Sequence, residues 1–134
     1  MILILSVTCY ITSVFQIGIN TGSIDRDYYG YHLVVAGWTG LFAGQFGLAW
    51  LANPIYFFTL LLFFRRKVFN FLLAILLVVL ALQFVRFQTV IVTGANESPF
   101  TLGLGYYFWL TSFIILAIGA AINYFKPKSK DITD

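Results

Sequence analysis

Few residues of this chain have side chains that do chemistry. It has one histidine, His32, and one cysteine, Cys9, beside five acidic and eight basic residues. A metal centre needs three or four clustered ligands, and a nucleophile needs a base held beside it. Neither arrangement is found, and no apolar segment contains a carboxylate. The sequence therefore predicts no enzyme, no metal and no cofactor. The alternative is catalysis by tyrosine, His32 or Arg86 at the interface on the outer side of a membrane.

Polar positions in the first apolar segment fall on one side of a helix. Their spacing of i, i+3, i+7, i+10 and i+14 covers an arc of roughly 80°, and the residues are Ser6, Cys9, Ser13, Gln16 and Asn20. Polar side chains in membrane helices avoid lipid and hydrogen-bond to neighbouring helices. We therefore predict a packing face with Ser6, Ser13 and Gln16 as contacts; a water-lined path is the alternative.

The segment GWTGLFAGQFGLAWLANP, residues 37–54, has an unusual number of glycines for an apolar stretch. On one helix, the four glycines lie within an arc of roughly 80°, and they are Gly37, Gly40, Gly44 and Gly47. Small residues let helix backbones approach closely in lipid. This glycine stripe predicts packing against the polar face of the first helix; contact with another chain is the alternative.

An Asn-Pro pair, Asn53 and Pro54, interrupts the same apolar run. As one straight helix, Leu33–Phe64 would be about 48 Å long, which exceeds the ~30 Å hydrocarbon core. Pro54 removes a helix hydrogen bond, so we predict a kink near Leu51–Pro54. Asn53 is expected to bond the freed carbonyl or a neighbouring helix; a substrate site at a broken helix is the alternative.

The third apolar segment carries Gln83 and Arg86 near its end. Arg86 lies about 28 Å along a helix from Lys67, close to the far membrane boundary. Long basic side chains reach the headgroups from such positions. Arg86 is therefore predicted to be an anchor; the alternative is an ion pair with an acidic residue of the outer loops, Asp25, Asp27 or Glu97.

One outer loop combines charged and aromatic residues. The candidates for recognition are Asp25, Arg26, Asp27, Tyr28, Tyr29, Tyr31 and His32. Tyrosine and tryptophan collect at membrane interfaces, and tyrosine and arginine are also frequent at the energetic centre of protein contacts. An aromatic belt and a recognition surface are both consistent with this loop.

Composition identifies the elements that carry these residues. The chain is 60% hydrophobic and 10% charged, with a mean hydropathy of +0.91, unlike soluble domains with about 25% charged residues. Four apolar segments, 2–19, 33–64, 68–92 and 102–125, are long enough to cross a bilayer as helices. We predict an all-α integral membrane protein: a four-transmembrane-helix bundle with a long, Gly-rich, Pro-kinked second helix. Residues 1–125 form one domain, and 126–134 form a polar tail.

Basic residues set the expected orientation. Three lie in 65–67 and three in the tail, against one in 20–32 and none in 93–100. Cytoplasmic loops are enriched in lysine and arginine, so both termini are predicted to lie in the cytoplasm. The membrane is predicted to be a bacterial inner membrane. These anchors account for the net charge of +3, which therefore does not indicate nucleic-acid binding.

The function predicted is binding rather than catalysis. We expect an accessory or assembly subunit of a larger membrane complex, or a small protective protein of the immunity type. The alternative is a passive channel or carrier for a small solute, formed by one chain or an oligomer. The partners expected are membrane lipids and either another membrane protein or further copies of this chain, with no nucleic acid and no metal.

Overall fold

A computed structural model describes residues 1–21, 27–39, 47–86, 89–93 and 96–126. The chain is mostly helical, and the helices in these ranges are α1 (Ile2–Phe15), α2 (Gly30–Ala36), α3 (Gly47–Trp50), α4 (Ala52–Leu62), α5 (Lys67–Gln83) and α6 (Leu104–Phe125). A 3-10 turn follows α2 at Gly37–Thr39 and another follows α5 at Phe84–Arg86. Gly40, Gly44, Asp25 and Arg26 lie outside the described residues.

Two helical stretches are long and apolar enough to cross a membrane. They are Lys67–Arg86 and Leu104–Phe125; of the 18 most apolar consecutive residues in each, only 33% and 28% are buried. Many of their other apolar side chains are exposed, among them Leu72, Val79 and Ile118, as expected of helices in contact with lipid. The other apolar helical stretches are shorter: α1 covers Ile2–Phe15, and α3 and α4 together cover Leu48–Leu62.

The second apolar segment is not one long helix, so that part of the fold prediction is wrong for the described residues. The Trp50 indole nitrogen donates to the Val34 carbonyl at 2.9 Å. In a continuous helix, 16 residues would separate these groups by about 24 Å, so the chain folds back between them. Each glycine in a helix interior destabilises the helix by about 1 kcal/mol relative to alanine. The several glycines of this segment therefore disfavour one continuous helix.

Pro54 lies in the first turn of α4 rather than in the interior of a helix. A proline at this position loses no helix hydrogen bond, because the first backbone N–H groups have no partner within the helix. The break is at Leu51, between α3 and α4, within the range where the sequence predicts a kink.

Short strands join the helices at one end of the bundle, a departure from the all-α prediction. They are β1 (Ile17–Asn20), β2 (Tyr28–Tyr29), β3 (Thr89–Thr93), β4 (Asn96–Pro99) and β5 (Thr101–Leu102). β1 lies between β2 and β5 in an antiparallel sheet, which we call the cap, and β3 pairs with β4. The strand pairing in the cap satisfies backbone N–H and C=O groups at this end of the bundle.

Glycines permit the close approach of α6 to the junction of α1 and β1. A Cβ atom at Gly103 would overlap the Ile17 carbonyl, and one at Gly105 would lie 2.9 Å from the Gln16 oxygen. The Gly103 N–H donates to the Gly18 carbonyl at 2.9 Å. Larger residues at these positions would push the last helix away from the cap.

α1 packs most extensively against α6, and α5 packs against α4 and α6. Buried residues recur along α1 at Ser6, Tyr10 and Ser13, the spacing of one helix face. The main core, which includes Tyr56, Leu77, Phe113 and Leu116, lies between these helices. A second cluster beneath the cap is built around Ile19 and Tyr106.

Candidate functional site

Two layers of hydrogen-bonded polar side chains cross the interior of the bundle. Three helices, α1, α4 and α6, each contribute two positions about one turn apart. We call the residues nearer the cap the upper layer (Tyr10, Asn53, Trp109) and the others the lower layer (Ser6, Tyr56, Ser112).

The lower layer is centred on the Ser6 hydroxyl. Ser6 Oγ donates to the Ser112 carbonyl at 2.8 Å and lies 2.9 Å from the Tyr56 hydroxyl oxygen. Because a serine hydroxyl has one proton, the Tyr56 hydroxyl is the donor in the second bond. All three residues are at most 1% exposed, so this layer is sealed from the surroundings.

The upper layer is centred on the Asn53 amide. Its Oδ1 accepts from the Tyr10 hydroxyl at 3.0 Å and from the Trp109 indole nitrogen at 2.9 Å. Asn53 therefore connects α4 to both α1 and α6. The Tyr10 and Tyr56 rings stack 4.6 Å apart, with planes inclined by 8°, which joins the upper layer to the lower one.

A cavity of about 60 Å³ lies between the upper layer and the cap. Its lining combines aromatic and aliphatic side chains, glycine backbone and the polar side chains of Ser13 and Asn53; the other residues include Gly30, Leu33, Val34, Gly37, Ala49, Trp50, Phe84, Tyr106 and Trp109. A Cβ atom at Gly30 would overlap the Ser13 carbonyl, and one at Gly37 would lie 2.6 Å from the Trp50 ring. Close packing of these glycines thus shapes one wall of the cavity.

The polar face predicted for α1 is present only in part. Ser6 and Ser13 are buried, and Cys9 is half-buried. Gln16 is exposed and Asn20 belongs to β1, because α1 ends at Phe15 with Gln16 in an extended conformation. The strand period of two residues replaces the helix period there, so the predicted face does not continue.

The polar face of α1 also packs against a different partner from the predicted glycine stripe. Ser6 bonds α4 and α6 rather than a glycine face. Gly37 packs against Trp50, and Gly47 begins α3. Because the chain folds back between Val34 and Trp50, the glycine positions that are described do not share a helix face.

Three exposed rings cluster at the cap end of the bundle. Tyr31 lies 4.0 Å from the His32 ring and 5.9 Å from Tyr29, measured between ring centroids. Tyr29 belongs to β2, whereas Tyr31 and His32 belong to α2. Tyr28 is half-buried, and Asp27 accepts a hydrogen bond from the Thr21 backbone N–H at 3.0 Å. The regular elements thus hold the exposed rings together.

Gln83 is the last residue of α5, and Arg86 ends the 3-10 turn that follows it. The Arg86 side chain is exposed, at the same end of the bundle as the cap. An exposed arginine at this position is compatible with the predicted anchor.

No known protein family, curated protein or solved structure matches the chain. The site therefore has to be interpreted from its own chemistry. Within the described ranges, no group of three or more histidine, cysteine, aspartate or glutamate residues could hold a metal ion. The upper layer offers amide, phenol and indole groups, which form hydrogen bonds.

Sequence reasoning missed most of the residues that build the site. Tyr10, Tyr56, Trp109 and Ser112 were not candidates, because their polar atoms are few and their helices look apolar. A signal exists in hindsight: Tyr10 lies four residues after Ser6 and three before Ser13, on the same face of α1.

Proposed function

We propose that this is a non-catalytic integral membrane protein that acts by binding, as an accessory or assembly subunit of a larger membrane complex or as a small protective protein of the immunity type. The observation that carries the proposal is the exposed ring cluster of Tyr29, Tyr31 and His32 at the cap end. Tyrosine contributes large contact area at low cost in conformational entropy. The cluster therefore has the composition of a recognition surface.

In this proposal, four segments cross the bilayer: α1, α3 with α4, α5, and α6. α1 alone reaches about 21 Å, and the four residues of β1 add about 13 Å, which together match a ~30 Å core. β1 pairs on both sides, with β2 and β5. Its backbone groups are thus satisfied as the chain approaches the outer surface.

The proposed orientation puts both termini in the cytoplasm of a bacterial cell, with the cap outside the inner membrane. Gly119 lies against the Ile2 and Phe63 side chains, so the chain start, the α4–α5 turn and the end of α6 share one end of the bundle. Arg65, Arg66 and Lys126 are exposed at that end. This clustering of basic residues supports a cytoplasmic position.

The hydrogen bonding of the interior favours binding over conduction. In both layers, the polar groups bond to one another and to helix backbone. A conducting path needs polar groups that face water along the length of the bundle. A channel or carrier is therefore our second candidate, and it predicts that the purified protein makes liposomes leaky to a small solute.

Pull-down from native membranes in mild detergent tests the proposal. The tagged protein should retain a membrane-protein partner in a fixed ratio, and the double variant Tyr29→Ala/Tyr31→Ala should lose most of it. Tyr107→Ala is the matched control, because Tyr107 is also exposed but lies on α6. Recovery of a lone chain from every detergent, or equal loss in variant and control, would contradict the proposed recognition surface.

A further inference from the structure

The cavity between the upper layer and the cap is lined by a buried residue that carries a hydrogen-bond donor, the amide nitrogen of Asn53. A tryptophan N–H can only donate, so the amide atom 2.9 Å from the Trp109 nitrogen must be oxygen. Both hydrogen bonds recorded for Asn53 end on Oδ1. Within the described residues, the Asn53 nitrogen therefore keeps its donors for another group.

Ser13 supplies an acceptor to the same cavity. Its hydroxyl donates its single proton to the Tyr10 carbonyl at 2.6 Å, so the lone pairs of the oxygen remain to accept. Ser13 is 3% exposed and Asn53 is 6% exposed, and both line the cavity. Asn53 on α4 and Ser13 on α1 thus bring a donor and an acceptor to the lining of one cavity.

The other polar side chains of the described lining already have partners. The Trp50 indole bonds the Val34 carbonyl, and the Tyr106 hydroxyl bonds the Ala81 carbonyl at 3.1 Å. Trp109 is bonded to Asn53 itself. The side chains of this lining therefore offer an incoming group one donor and one acceptor, on walls that are otherwise aromatic, aliphatic or glycine.

The volume limits what can bind. A cavity needs a volume of at least about 10–15 Å³ to hold one water molecule. For comparison, an engineered apolar cavity of about 150 Å³ in another protein binds benzene. At about 60 Å³, the cavity has room for a water molecule or for a few non-hydrogen atoms.

We propose that this cavity binds a hydroxyl group, whose oxygen accepts a hydrogen bond from Asn53 Nδ2 and donates one to Ser13 Oγ. Water and a short-chain alcohol share this chemistry, and the aromatic walls would contact the alkyl part of the alcohol. The bound hydroxyl links α1 to α4 beneath the cap. The site does not depend on the ring cluster or on any protein partner.

Side-chain amide NMR of the full chain in detergent micelles tests the site, with ¹⁵N-labelled asparagine. The Asn53 signal is identified by its loss in Asn53→Asp. In the folded protein, it should give a cross-peak to water, and titration with 1-propanol should shift it saturably. A cross-peak without a saturable shift assigns the site to water, and a saturable shift assigns it to the alcohol. Absence of both overturns the proposal.

Two variants and a control separate the site from general effects of mutation. Ser13→Ala should weaken the water cross-peak or the propanol affinity at least fivefold, and Ala49→Leu should abolish both by filling the cavity. Ser112→Ala is the matched control, because Ser112 makes the same bond to the carbonyl three residues earlier, at 2.6 Å, outside this cavity. Circular dichroism verifies that each variant is folded. Equal responses in Ser13→Ala and Ser112→Ala would also overturn the proposal.

Discussion

The same substitution at two buried asparagines should have opposite effects on stability. Asn53 is 6% exposed and Asn70, on α5, is 1% exposed. The Asn53 oxygen accepts two hydrogen bonds, whereas neither the amide oxygen nor the amide nitrogen of Asn70 has a partner within the described residues. Leucine has a similar volume, so the two changes differ mainly in the hydrogen bonds that they remove.

Asn53→Leu leaves two donors without an acceptor. A buried polar group that loses its partner costs about 1–3 kcal/mol. Tyr10 is 5% exposed and should bear most of that cost, while the partly buried Trp109 bond should add about 1 kcal/mol. We expect Asn53→Leu to lower the free energy of unfolding by about 2–4 kcal/mol. Asn70→Leu removes two unpartnered groups and should raise it by about 1–3 kcal/mol.

Equilibrium unfolding in mixed micelles of mild detergent and dodecyl sulfate measures both values, with far-UV circular dichroism as the signal. Tyr10→Phe, which removes one donor and keeps the stacked ring, should cost only about 1 kcal/mol. Because it removes the donor that Asn53→Leu leaves unpaired, the double variant should be more stable than the sum of the single effects by about 1 kcal/mol or more. Changes of the same sign in the two leucine variants would refute this reasoning.

Three further predictions concern packing, topology and water access. Gly105→Ala should lower the free energy of unfolding by about 1–3 kcal/mol, because the new Cβ would meet backbone atoms at 2.9–3.0 Å. Gly119→Ala should lower it less, since the nearest neighbour of that Cβ is an isoleucine side chain, which can move. Thermal unfolding in detergent compares the two variants. A reporter enzyme fused after Asp134 should report cytoplasm and one inserted at Gly22 the outside; the opposite signals would reverse the orientation. Ser13→Cys, in a background without other cysteines, should react slowly with a water-soluble maleimide, because the cavity is smaller than the reagent; fast labelling would favour the channel.

The sequence correctly indicated features that depend on residues close together in the chain. The apolar segments 68–92 and 102–125 correctly indicated long helices, which are found at 67–86 and 104–125, because a membrane helix satisfies its own backbone and needs only an apolar surface. The predicted third span extended too far, since Thr89–Thr93 forms β3. The helix period also indicated that Ser6 and Ser13 share a buried face. Both inferences involve residues within a few turns of one another.

The parts that sequence reasoning missed depend on distant partners. The Asn53 bonds join residues 43 and 56 positions away, and no periodicity in one segment indicates them. Assuming one helix for Leu33–Phe64 placed the described glycines on a face that the fold does not form. The cap was missed because β1 follows α1 directly, and its strand conformation depends on pairing with β2 and β5.

The two polar layers explain how helices with few distinguishing apolar features can pack in one arrangement. Lipid tails are as apolar as leucine, so apolar faces alone provide little preference for one relative position of membrane helices. Hydrogen bonds are directional, and a shift of α1 by one turn would separate both Ser6 and Tyr10 from their partners at once. Because the layers are about one turn apart on all three helices, no single-turn shift restores both. The arrangement of α1, α4 and α6 therefore depends on a few polar side chains within an otherwise apolar bundle.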